Sequence, residues 1–399
     1  MDGLMRMRCY LHFRTDSRAV QSTVDTKTPL LNGWKQSIPR QSDGDAFSVI
    51  YTGGVRIIER GNGRWHIEPL FDGTTACAKG FMPREGIEAF LSQAGLKPIA
   101  FHRIGWHRGV YNSSWSPVVP GQTNHFQGPA DDWSQIAGNL SRDRTGSALE
   151  QMIARTDEKI GTLLDNRDEA ERLAQSISLS LRSMDISIEN ISEFYNEQLV
   201  NLMAAGMLDG RRSASTSDQM LYAYVHSFFM HLGAARDYLG ALIAVRLGRD
   251  PSKTDSMVRL VDAIRAENVG ADALLGLMKS EGHIQPKPTS DNKFEICGWL
   301  MDVTQLRNEF MHRRPYGDKF VERWGHAKPI DDREGLFRCV RPMLLSDGRE
   351  SDVLDLIARH YGSVCRLFKG CADKSGYNAD ILTLTDEDIV SITFPERDG

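Results

Sequence analysis

The period of the apolar residues changes partway along this chain, and that change limits the folds open to it. Before about residue 145 apolar residues come in short runs bounded by Gly, Pro and Asn, the signature of strands and turns. Ser48 to Tyr51 and Val55 to Ile58 read as strands, and Gly61-Asn62-Gly63 reads as the hairpin turn leading into Trp65-His66-Ile67. Ile87 to Ala94 reads as a short helix closed by Gly95, and Ile99 to Tyr111 as another strand-like segment. Residues 112–145, with Pro117, Pro120 and Pro129, read as a long loop.

From Ser147 the spacing turns helical. Leu149, Ile153, Ile160, Leu163 and Leu164 begin an amphipathic run that continues past Leu173. Further helices are expected over about Ile188 to Leu208, Ser217 to Leu247, Thr254 to Lys279, Glu295 to Arg314 and Ser351 to Lys369. Pro315 stops the one before it. Ile381 to Phe394 reads equally as a hairpin or a helix start. The expectation is a multidomain α+β protein. A small α+β or β-rich domain covers 1–145, a linking helix 146–184, a helical bundle 185–372 and a tail 373–399.

Composition narrows the function classes. With 399 residues and a net charge of −5, the chain has no global basic field, so any nucleic-acid binding must come from a local patch. Its six cysteines form no CxxC pair, which disfavours a zinc ribbon and fits reduced thiols. The N-terminus carries charges where a signal peptide needs an apolar core, and no run approaches the ~20 apolar residues of a membrane span. A cytoplasmic protein without membrane partners is expected.

The segment with chemical content is Leu306-Arg-Asn-Glu-Phe-Met-His-Arg-Arg-Pro-Tyr316. On a helix, Val303, Leu306 and Phe310 share an apolar face with Ile296 and Trp299, and Arg307 lies at its edge. Asn308 and His312, four apart, stack together on the far side. Metal-free RNA cleavage needs a base for the ribose 2′-OH, an acid for the leaving 5′-oxygen and a cation for the phosphorane. Imidazole serves as acid or base near neutral pH, and a guanidinium fork matches phosphate oxygens. Between Arg307 and Lys328 there are six Lys/Arg against three Asp/Glu, with Tyr316 and Trp324 available to stack on bases and Arg313 and Arg314 to bind the backbone. The same basic residues are also favoured at a helix C-terminus by the macrodipole.

Arg307-Asn308 followed by His312, on a late helix of an expected bundle, resembles the HEPN superfamily, whose hallmark is an Arg, often with a polar neighbour, and a His four to six residues on. The resemblance covers about residues 185–370. It implies a metal-independent endoribonuclease that needs no cofactor. Cleavage is by 2′-OH attack at a composite site where two copies meet, with Arg307, Asn308 and His312 catalytic. It further implies RNA as substrate, a homodimer, and a role in toxin–antitoxin or antiviral defence under control of a regulatory partner protein. The N-terminal region, or the linking helix, is an alternative source of that control. Modification of Tyr316, or another Tyr near the motif, is one possible lever. The alternative from another class is a non-catalytic HEPN-like module that binds a nucleotide or a protein.

Other groups carry less. Asp237, beside Arg236 on the expected Ser217 to Leu247 helix, is either a support for the site or an ordinary carboxylate; for Arg236 a buried ion pair or an interface cation is expected. His231, off that helix's stripe, reads as solvated or hydrogen-bonded. His102 and His107 face opposite sides of an extended segment and lack further ligands, so no metal is expected. Cys365 and Cys371 read as core thiols. No Walker A, dinucleotide, HExxH or GxSxG motif is present.

Overall fold

The computed structural model describes residues 46–107, 110–119, 127–152, 166–288, 292–331, 335–345 and 347–381. The chain is mixed α+β, with a sheet near the N-terminus and a helical region after it. Strands β1 (Ala46–Tyr51), β2 (Arg56–Glu59), β3 (Trp65–Phe71) and β4 (Ala76–Met82) run as an antiparallel meander. Asn62 takes positive φ in the turn between β2 and β3, as the Gly-Asn-Gly signal requires. Helix α1 (Arg84–Gln93) then carries the chain to β5 (Pro98–His107), which pairs with β1, and β6 (Val110–Pro117) pairs with β5. The sheet order is β4-β3-β2-β1-β5-β6.

The loop expected over 112–145 is instead largely regular. Its start lies in β6, and helix α2 (Pro129–Met152) begins at Pro129. Proline is favoured at the first helical position, and Asp131 and Asp132 complement the N-terminal dipole. A residue read as a breaker is here a helix starter. Helices α3 (Glu169–Ala204) and α4 (Asp218–Arg246) follow. The single helix expected over 254–279 is three short ones, α5 (Met257–Ala263), α6 (Ala266–Ala271) and α7 (Ala273–Ser280). Local side chains cap each start: Ser256 accepts from Arg259 N–H, Asn268 from Arg265 N–H, and Asp272 from Leu274 and Leu275 N–H.

Strands β7 (Ile284–Pro286) and β8 (Phe294–Ile296) form a hairpin that takes up Glu295, the expected start of the next helix. That helix, α8 (Trp299–His312), begins after Gly298, whose φ is 60°. Two further hairpins were not foreseen: β9 (His326–Asp331) with β10 (Leu336–Val340), and β11 (Pro342–Leu344) with β12 (Glu350–Asp352). Helix α9 (Val353–Lys374) follows. The expected tail after 381, the apolar run over 153–165, and Cys9 and Trp34 lie outside the described residues. No helix among the described residues is long and apolar enough to cross a membrane.

Two compact units are present. One draws on the chain up to Gly128, on Ser180–Ala234 and on Cys297–Leu367; the other on Pro129–Leu179, Ala235–Ile296 and the chain from Phe368. They interleave along the sequence. In the second unit Trp133 Nε1 donates to the Phe368 carbonyl at 3.1 Å, and Arg246 pairs with Asp272 at 2.8 Å.

The first unit holds the sheet, α8 and the four strands that follow it. Gly54, at φ 85°, presses on α3: a Cβ there would stand 2.5 Å from the Tyr195 carbonyl oxygen, while Asn196 Nδ2 donates to Gly54 O at 2.8 Å. Trp115 donates to the Tyr361 hydroxyl, which donates to Asp185. Arg341, 1% exposed, sits at the centre of a polar cluster. Its Nη2 donates to Asp218 Oδ1 at 2.8 Å and to Gln198 Oε1 at 3.3 Å, and its N–H to Asp352 Oδ2 at 2.9 Å. Its guanidinium covers the Phe194 ring and lies against Gly325. Burial pushes the Asp352 carboxyl up to about 6.

Breaking this pair by Asp218→Ala strands a buried cation, at an expected cost of about 3–5 kcal/mol. Arg341→Met with Asp218→Leu leaves no stranded charge and is expected to cost clearly less in urea denaturation. Equal costs would contradict the assignment.

His360 on α9 is 1% exposed, and neither ring nitrogen has a hydrogen-bond partner among the described residues. Burial pushes its pKa down to about 4, with Arg359 adding to the effect. The folded state therefore keeps it neutral while the unfolded chain takes up a proton. Its stability contribution is whole above pH ~6.5 and falls as pH drops toward 4, by about 3 kcal/mol. The stability difference between wild type and His360→Leu, followed by denaturation at pH 7 and pH 4.5, is expected to move in the variant's favour across that window.

Candidate functional site

Helix α8 buries Leu300, Val303 and Phe310 and exposes the opposite face. Phe310 meets Phe229 of α4, with ring centroids 5.3 Å apart. Arg307, three residues before Phe310 and four after Val303, falls at the edge of that contact and is half-buried. Its side chain crosses α4 at Gly233, where a Cβ would stand 2.4 Å from Arg307 Cδ and 2.5 Å from Nε. Only a glycine leaves room for the crossing. Arg307 Nε is buried without a hydrogen-bond partner, and no described carboxylate pairs with the guanidinium. A cation partly removed from water and not neutralised by a described residue attracts an anion, and its planar fork suits phosphate or carboxylate.

Asn308, His312 and Arg313 are exposed, and their side chains make no hydrogen bond or ion pair with described residues. Asn308 and His312 share a face, and His312 lies about 7.5 Å along the axis from Arg307. The remaining candidates are placed differently. Arg314 is paired with Glu309. Tyr316, 2% exposed, donates its hydroxyl to the Pro342 carbonyl and stands edge-on to Tyr222, so it is not placed to stack on a base or to receive a modification. Arg323 donates to the carbonyls of Gly317 and Asp318, and Lys319 to that of Leu344. Of the basic stretch, Arg307, Arg313 and Lys328 are left without a described partner. Trp324 is half-buried, and the stacking surface in this segment is Phe320, 70% exposed and edge-on to Trp324.

Asp237 belongs to the other compact unit. There it pairs with buried Arg236 at 3.0 Å and accepts the Met257 N–H at 3.2 Å, which gives it a structural task in that unit. His231 is half-buried, and burial lowers its pKa. His102 Nε2 lies 3.0 Å from Ser113 Oγ; the side chain of His107 lies outside the described residues. No three His, Cys, Asp or Glu among the described residues stand close enough to hold a metal ion. Cys365 and Cys371 are free and buried, and burial raises both thiols.

The sequence reading missed Gly233. Its signal was available: a glycine inside a helix costs about 1 kcal/mol against alanine, so its presence marks a close approach. Comparison with protein-family models, with curated proteins and with solved structures finds no match for this chain.

The crossing predicts a sign reversal. Gly233→Ala in the wild-type chain is expected to destabilise by about 1–3 kcal/mol, because the new methyl meets the Arg307 stem. In an Arg307→Ala background the same substitution is expected to be neutral or to stabilise. A double-mutant cycle in chemical denaturation measures this, and additive effects would contradict it.

Proposed function

We propose that this chain is a metal-independent endoribonuclease of HEPN type. The observation that carries the reading is the un-neutralised guanidinium of Arg307, fixed across Gly233 on the same helix as the open imidazole of His312. Arg307 holds the scissile phosphate. One imidazole takes the proton of the 2′-OH as the O2′–P bond forms. A second protonates the 5′-oxygen as the P–O5′ bond breaks, leaving a 2′,3′-cyclic phosphate and a 5′-hydroxyl. Asn308, on the His312 face, orients the phosphate or the ring. Arg313 adds charge for the backbone.

The second imidazole comes from a second copy of the chain. Met230 and Met311, each more than 40% exposed on α4 and α8, offer apolar contact for it. Free RNA cleavage harms the cell, so the reading extends to a toxin or anti-phage effector held in check by a partner protein. The same exposed methionines also favour a second reading, a non-catalytic module that uses α8 to bind a protein.

Cleavage of a labelled mixed-sequence RNA in EDTA separates the two. Wild type is expected to give 2′,3′-cyclic ends, His312→Ala to lose about 10²–10⁴-fold in rate, and Arg307→Lys to lose activity because a point charge does not replace the fork. Full activity in His312→Ala would overturn the assignment of the site, and full activity in a strictly monomeric sample the composite-site mechanism; no cleavage, together with no toxicity on expression in cells, would favour the binding module.

A further inference from the structure

A cleft of about 670 Å³ in the first unit opens between the N-terminal half of α4 and the segment just after α8. Pro315 belongs to its wall and is three residues past His312, so their Cα atoms are at most about 11 Å apart. The volume suits a nucleotide-sized ligand. Its polar groups are unusually well fixed. His226 Nε2 accepts the Tyr316 N–H at 3.0 Å, which puts the ring proton on Nδ1. That Nδ1 has no partner among the described residues, and His226 is one of the residues that line the cleft. Burial lowers the pKa of His226, which keeps the ring neutral.

The Tyr222 ring is pinned against Gly317, where a Cβ would stand 2.8 Å from it, and its hydroxyl has no described partner. Gln219, exposed on the same wall, brings an amide donor and acceptor. Two of the three charged residues that line the cleft, Asp218 and Asp318, are carboxylates, which oppose a phosphate. Asp218 is paired with Arg341, Arg323 is turned onto two carbonyls, and Asp318 is an open carboxylate. The cleft therefore offers flat rings, a neutral imidazole, a hydroxyl and an amide, and the one cation in its lining, Arg323, is engaged by two carbonyls. That is the chemistry that recognises a neutral heterocycle with donors and acceptors on its edge, and it does not suit a phosphate or a lipid headgroup.

Resting on the reading of α8 as an RNA-cleaving element, we propose that this cleft is a base subsite for a flanking nucleotide: His226 and Tyr222 lie about 10 and 16 Å along α4 from Gly233, where Arg307 holds the phosphate, the span of one or two nucleotides of an unpaired strand. His226 and Tyr222 are then specificity-determining residues that read the base edge. The cleavage preference of the protein follows from that edge.

The test uses the full chain and four probes, adenosine, guanosine, cytidine and uridine, with ribose 5-phosphate as the baseless control. Binding is followed by ligand-observed NMR to wild type, His312→Ala, Tyr222→Phe and Gln219→Ala. At least one nucleoside is expected to bind wild type and His312→Ala alike. Tyr222→Phe and Gln219→Ala are each expected to weaken it by roughly tenfold, as loss of one hydrogen bond does, while leaving ribose 5-phosphate unaffected. No nucleoside binding, or binding that ignores both substitutions, overturns the subsite. RNA cleavage without base binding refutes the subsite alone. Base binding without cleavage keeps the subsite and refutes the nuclease.

Discussion

The buried pair of Arg341 and Asp218 fixes more of this molecule than any other contact. Asp218 is the first residue of α4, and its carboxylate also accepts from Ser215 N–H and Oγ, so the same group closes the turn before the helix and receives the arginine. Through Gln198 and Asp352 that arginine also engages α3 and β12. A charge pair so far from water gains little net energy but is costly to misplace, so it specifies where α4 begins. Once that point is set, the helix rise sets the height of Tyr222, His226 and Gly233 along it.

Two arginines of the first unit lie across glycines with similar geometry: Arg341 on Gly325, and Arg307 on Gly233. Each has a buried Nε without a partner. What separates them is the counter-ion. Arg341 has Asp218 and closes a structural cluster; Arg307 has no carboxylate partner among the described residues, and on the proposed function its charge serves the RNA phosphate. The same steric device thus yields a structural arginine in one place and a receptive one in the other, and the difference lies in a single acidic residue.

Much of the fold was legible where one local signal dominated. The short apolar runs around Val49 and Ile57, the Gly-Asn-Gly turn and the apolar stripe of α4 led to β1, β2, the hairpin and the helix nearly as expected. The signals failed where two meanings competed. Pro129 was a break or a start, and only the acids after it decide. Thr254 to Lys279 has helical spacing throughout, yet Ser256, Asn268 and Asp272 cap three separate pieces. The short strands between Gly325 and Asp352 meet distant partners, Asp218 at Arg341 and Tyr195 at Asp352, which no window of sequence reveals. For the site, the edge position of Arg307 and the outward face of Asn308 and His312 followed from helix geometry alone. The burial of Tyr316 did not, because it is set by Tyr222 and Pro342, residues from other elements.

The interleaving of the two units bears on how the chain is made. The first unit needs Gly54 against Tyr195, Trp115 against Tyr361, and Arg341 against Asp218, so its core cannot close until about residue 361 has left the ribosome. Arg307 and His312 emerge before that point but lack the packed surroundings that hold them. A nascent or prematurely terminated chain therefore carries the motif without its scaffold. Synthesis order thus withholds the packed setting of α8 until most of the chain has been made.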